Sequence, residues 1–96
     1  MKCWYQLVDS SGGCYKGSTV DEVSLNDNSD VAELRRAVET ANSKILTHTT
    51  ASQLLVYQCQ EELNIKQPLN PRQYVNADIE YIVAVPDVTI PQQGNY

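Results

Sequence analysis

Apolar residues along this chain follow two different periods, and the changes between them mark out its elements. Residues 3–8 are rich in aromatic and β-branched side chains and end at Asp9-Ser10-Ser11-Gly12-Gly13, a turn cluster, which predicts a first strand. Residues 15–25 carry Thr19, Val20, Val23 and Leu25 in a weaker strand pattern that Gly17 interrupts, so the two segments make a hairpin with a long loop. Over residues 30–42 the period lengthens. Val31, Leu34, Val38 and Ala41, with Ile45 beyond, recur at helical spacing, while Glu33, Arg35, Arg36 and Glu39 occupy the rest of the circumference. Asp30 followed by Glu33 fits a carboxylate version of the capping box, and acidic residues suit the positive end of the helix dipole. Asn42-Ser43 could stop this helix, or one more turn could carry Ile45 onto its apolar stripe.

Beyond the polar linker Thr47-His48-Thr49-Thr50, residues 53–59 form a third strand, with Leu54 and Val56 on one face and Leu55 and Tyr57 on the other. Residues 61–71 are polar with Leu63, Ile65 and Leu69 interspersed, which predicts a short edge strand or a loop bracketed by Pro68 and Pro71. Residues 79–85 are the most apolar run, as expected of a central strand, and Pro86 ends it. Residues 87–96 have the character of a tail or the start of a linker. The order strand, strand, helix, strand, short strand, strand is that of an α+β, ubiquitin-like β-grasp. It implies a mixed four- to five-stranded sheet with one helix packed on one face and the last strand beside the first. A helix of this length is marginal alone in water, so its stripe requires that sheet.

Composition narrows the class without supplying an activity. Ninety-six residues make one domain, able to bury roughly 60–70% of the surface its unfolded chain exposes. The apolar fraction of 42% with 20% charged residues is that of a globular chain, and no run approaches the length of a membrane span. A formal net charge of −5 argues against nucleic acid as a direct partner, because that affinity rests on clustered Lys and Arg. Arg35-Arg36 is the one basic cluster. Its spacing to Glu39 and Glu33 predicts pairing along the helix and a solvated face.

Candidate chemistry is sparse. Cys3, Cys14 and Cys59 cannot all pair within one chain and show no metal-knuckle spacing, so reduced thiols are expected, Cys3 and Cys59 in the core and Cys14 exposed. His48 stands alone in its linker, without a partner for a metal site or a catalytic base, and Ser10, Ser11 and Ser18 lie in no nucleophile pattern. The carboxylates Asp21, Glu22, Asp27 and Asp30 have the character of solvated loop and cap residues. No catalytic residue, cofactor or metal is assigned. Because Phe is absent, Trp4 and six tyrosines supply the aromatic bulk, and each needs a place for its polar tip. Strand parity puts Trp4, Leu55 and Tyr57 together on the sheet face away from the helix. They are the candidate residues for a protein partner or a homodimer.

The helix pattern Val31-x-x-Leu34-Arg35-x-x-Val38, the strand Ser52-Gln53-Leu54-Leu55-Val56-Tyr57 and the closing Tyr81-Ile82-Val83-Ala84-Val85-Pro86 resemble the ubiquitin-like N-terminal domain of Crinkler effectors. These are proteins of oomycetes and some fungi. The resemblance runs over residues 1–86, and Gln58-Cys59 stand where a lysine usually closes the family's leucine-rich translocation motif. It implies a non-catalytic N-terminal domain of a secreted effector, associated with delivery into host cells, frequently to the nucleus, with 87–96 as tail or linker. The start Met1-Lys2-Cys3-Trp4 has no long apolar stretch of the secretory kind, so secretion would imply a removed signal peptide or another route. The alternative is a generic ubiquitin-like adaptor that binds a protein non-covalently. Conjugation is not expected, because Gly94-Asn95-Tyr96 stand where a diglycine would be needed.

Overall fold

The computed structural model describes residues 1–46 and 49–86. His48 and the 87–96 tail therefore lie outside the described residues. Four strands, β1 (Lys2–Val8), β2 (Asp21–Ser24), β3 (Leu55–Tyr57) and β4 (Glu80–Ala84), form one mixed sheet in the order β2-β1-β4-β3. The first and last strands run parallel at its centre, with Tyr5 opposite Tyr81 and Leu7 opposite Val83, and β2 and β3 flank them antiparallel. One main helix, α1 (Val31–Ala41), crosses one face, and a short helix, α2 (Gln60–Asn64), follows β3. This is a small α+β domain, and its arrangement is compatible with a β-grasp.

Alternation decides which side chains meet α1. Cys3, Tyr5 and Leu7 of β1, Val23 of β2, Val56 of β3, and Tyr81 and Val83 of β4 form one buried cluster with Val31, Leu34 and Val38 of the helix. Ala41 ends the helix exposed, and Ile45 packs at the edge of the core from the following turn. Burial of two tyrosines in this core requires partners for their hydroxyls. The Asn42 side chain donates to the Tyr5 hydroxyl at 2.8 Å, and the Asn76 backbone N–H donates to the Tyr81 hydroxyl at 2.7 Å.

The start of α1 is closed donor by donor. A helix leaves its first N–H groups without internal partners. Here Val31 N–H donates to the Gln73 carbonyl, Ala32 N–H to the Pro71 carbonyl and Glu33 N–H to Asp30 Oδ1 at 2.9 Å. Asp30 thus makes its half of the expected capping box. Glu33 makes no return bond to Asp30 N–H among the described residues, and backbone from the segment before β4 supplies the acceptors for Val31 and Ala32.

Several expectations are corrected. Only Asp21–Ser24 of residues 15–25 is strand; Tyr15–Gly17 is a 3-10 turn, with Lys16 at φ 49° and Gly17 at φ 74° turning the chain away from extended geometry. Residues 61–71 hold no edge strand. Their start belongs to α2, and Leu69 N–H then donates to the Val56 carbonyl at 2.7 Å, occupying the outer edge of β3. Cys59 is exposed at the start of α2, not in the core, whereas Cys3 is buried and Cys14 exposed. Neither Arg35 nor Arg36 forms an ion pair among the described residues. Arg35 is half-buried, and its Nη1 donates to the Ser52 and Leu54 carbonyls at 3.5 and 3.4 Å.

Leu34 is fully buried. Leu34→Ala is expected to cost about 2–5 kcal/mol in urea unfolding, more than Arg35→Ala, whose long bonds to two carbonyls hold about 1 kcal/mol or less. Equal losses would contradict the helix-on-sheet core. Burial raises the hydroxyl pKa of Tyr5 and Tyr81 against the lowering effect of their hydrogen bonds, and raises that of Tyr57. A raised folded pKa gives stability that is complete below the unfolded tyrosine value of about 10 and is lost as pH rises through the folded value. Alkaline unfolding above about pH 10, coinciding with late tyrosinate absorbance, is therefore expected. Full tyrosine ionisation at that pH with the fold intact would contradict it.

Candidate functional site

On the face away from α1, the sheet is only partly open. Leu63 of α2 packs against a small cluster of Val8, Tyr57 and Ala84, with Ile82 beside it. Gln60-Glu61-Glu62-Leu63-Asn64 are mostly good helix formers with acidic residues in the first turn, and Glu62 Oε1 accepts from Gln58 N–H at 3.0 Å. The helix ends in a Schellman turn: Gln67 N–H donates to the Glu62 carbonyl, and Lys66 N–H to the Leu63 carbonyl. Lys66 occupies the left-handed position of that turn at φ 57°, where glycine is usual.

Opposite α2 stands the turn after β1. Asp9 Oδ1 accepts from the Ser11 hydroxyl at 2.6 Å, Ser11 N–H at 2.9 Å and Gly13 N–H at 3.1 Å. These donors, the Ser11 hydroxyl first, hold the Asp9 carboxyl below the usual carboxylate range. Gly12, at φ 92°, supplies the backbone conformation that the turn needs. A Cβ there would sit 3.7 Å from the Leu63 side chain, so the turn and α2 approach each other closely.

Between the turn, β3, α2 and the end of β4 lies a groove of about 310 Å³. Leu55, Tyr57, Leu63, Ala84, Val85 and Pro86 supply its apolar surface, and Asp9, Gln60, Asn64 and Lys66 are among its polar residues. Such a groove offers an apolar seat with one acidic and one basic side chain in its wall. Among the described residues it offers no group of three His, Cys, Asp or Glu able to hold a metal ion.

The three residues singled out from the sequence share this face but not one surface. Leu55 is 40% exposed and Tyr57 only 3%, both lining the groove, because α2 covers the tyrosine. Trp4 is 45% exposed but stands elsewhere. Its cross-strand neighbours are Glu22 and Glu80, whereas Leu55 pairs with Ala84. That register separates Trp4 from Leu55 by roughly 13 Å along the strands. Asp9, Leu63 and Lys66 were not legible as site residues. A five-residue helix is too short to show a helical period, and the helix-forming composition of 60–64 was the only available signal.

Compared with known proteins, the chain matches no family model, no curated protein and no solved structure. Among the described residues, no helix is long and apolar enough to cross a membrane.

Lys66→Gly is expected to stabilise the chain by about 0.5–1 kcal/mol, because relief of left-handed strain exceeds the entropy that glycine adds to the unfolded state. Urea unfolding checks this. A destabilised variant would mean that the Lys66 side chain, rather than its backbone angle, governs the turn.

Proposed function

We propose that this chain is a non-catalytic, ubiquitin-like β-grasp module that works by holding a protein partner, or a second copy of itself, at the groove beside β3. The observation that carries this reading is Leu55, a large apolar side chain left 40% exposed beside Tyr57, Leu63, Ala84 and Pro86 and bordered by polar residues. An apolar anchor point inside a polar rim is the anatomy of a protein interface. The β-grasp assignment is supported by the parallel central pair, the two antiparallel flanking strands and the helix across one face.

The resemblance carried by Val31, Leu34, Val38 and the run from Tyr81 to Pro86 extends the proposal. In that reading the module is the N-terminal domain of a secreted Crinkler-type effector and serves delivery into host cells, with the host nucleus as a frequent destination. The generic adaptor reading is favoured by a different observation. Leu54, Val56 and Tyr57 are buried, so of the apolar side chains in the leucine-rich strand only Leu55 is exposed enough to be recognised. Gln58-Cys59 also replace the closing lysine of the translocation motif.

Leu55→Asp tests the shared part of both readings. Sedimentation equilibrium over the micromolar range is expected to find self-association that Leu55→Asp abolishes, with stability changed by less than about 1 kcal/mol because the position is half-exposed. A monomer at all concentrations, unchanged by the substitution, would remove the second copy as occupant. A reporter fused behind the chain separates the two readings: accumulation inside host cells supports delivery, and exclusion leaves the adaptor.

A further inference from the structure

On the helix side of β3, away from the groove, a second concavity of about 300 Å³ lies between α1 and the 3-10 turn Ala51–Gln53. Its lining is Ala32, Arg35, Arg36, Thr50, Ala51 and Ser52. In a chain of net charge −5, it gathers the one pair of adjacent arginines against two hydroxyls, with small residues completing the wall.

The hydrogen-bonding state of these groups is incomplete. Arg35 uses Nη1 for the Ser52 and Leu54 carbonyls, yet its Nε is buried with no partner. A buried donor left unpaired is costly and calls for a physical explanation. Arg36 is exposed and makes no hydrogen bond or ion pair among the described residues. Thr50 Oγ1 and Ser52 Oγ lie 3.1 Å apart and share one hydrogen bond, so one of the two hydroxyl protons stays free to donate. Glu33 and Glu39, the carboxylates that sequence spacing offers to these arginines, form no ion pair with either.

We propose that this notch binds a single phosphate-type oxyanion, held by the Arg35 and Arg36 guanidinium groups and the hydroxyls of Thr50 and Ser52. The donors come from two walls, α1 on one side and the 50–52 turn on the other. That disposition suits a tetrahedral anion better than a planar carboxylate, which one guanidinium edge satisfies. A seated anion gives Arg36 a partner that it lacks among the described residues. The rest of the chain's negative charge opposes binding: beyond about 10 Å it is largely screened at 0.1 M salt, Glu33 and Glu39 on the same helix act within that range, and the two arginines act at contact. Either free phosphate or the phosphate of a small monoester carries the required chemistry. The inference is independent of what occupies the groove.

The test is a titration of the 15N-labelled chain at neutral pH and constant ionic strength with inorganic phosphate, O-phosphoserine and acetate. Saturating amide shifts centred on Ala32, Arg35, Arg36, Ala51 and Ser52 are expected with phosphate, and weaker ones with acetate. Tighter binding of O-phosphoserine would identify a monoester as the source, and equal or weaker binding would identify free phosphate. Arg36→Gln, a change at an exposed position that leaves the fold in place, is expected to weaken phosphate binding about tenfold by removing a charge-assisted donor. Thr50→Val is expected to weaken it less. Shifts that never saturate, shifts scattered over the surface, an acetate response equal to that of phosphate, or Arg36→Gln titrating like the parent would each overturn the proposal.

Discussion

The parallel pairing of β1 with β4 is the constraint from which the rest of this structure follows. Parallel neighbours cannot be joined by a tight turn and need a long crossover. Here the paired strands stand near the two ends of the described chain, so nearly everything else becomes the crossover. The sheet centre must then be covered by what lies between, and only α1 is long enough to place a continuous apolar stripe across it. Tyr5, Leu7, Tyr81 and Val83 face Val31, Leu34 and Val38 because strand alternation and helix period present those side chains to each other. Each element buries the other's apolar face, which is why the core on the helix side of the sheet is one contiguous cluster.

A long crossover also brings backbone that must be satisfied without regular structure. The segment between α2 and β4 does this by donating to and accepting from elements already in place. Its Gln73 and Pro71 carbonyls accept from the first N–H groups of α1, its Val75 N–H donates to the Ser29 carbonyl, and its Leu69 N–H closes the outer edge of β3. A stretch with no strand or helix of its own thus serves as the cap of one element and the guard of another. Ser29 shows how tightly this region is packed: the residue is buried, and its hydroxyl donates to the Asn26 carbonyl at 2.6 Å.

Those parts of the fold that rest on repeating side chains were legible in the sequence, and those that rest on single tertiary contacts were not. Helix α1 announced itself through Asp30 and the spacing of Val31, Leu34 and Val38, and the central position of β4 through its strongly apolar run. Helix α2 did not, because five residues complete barely more than one turn and Leu63 is its one packed apolar side chain. Cys59 looked like strand core by its neighbours, but the chain turns into α2 there and carries the thiol to the surface. For the candidate site, parity correctly assigned Trp4, Leu55 and Tyr57 to one face. Register, which parity does not encode, separated Trp4 from Leu55, and α2 then covered Tyr57. Arg35 had the sequence spacing of a surface ion pair, yet tertiary packing brings it two backbone carbonyls and half-buries it instead.

Strand β3 concentrates these lessons in three residues. Its inner face supplies Val56 to the core, its outer face supplies Leu55 and Tyr57 to the groove, and the carbonyls on its free edge are taken by Leu69 and, just before it, by Arg35. So short a strand would be marginal by its pairing with β4 alone, and contacts from three further directions fix it. That division sets what each position tolerates. Leu54 and Val56 are held by core packing, where a change of even one methylene is felt, while Leu55 contributes little to the core and is free to be chosen for what it meets outside.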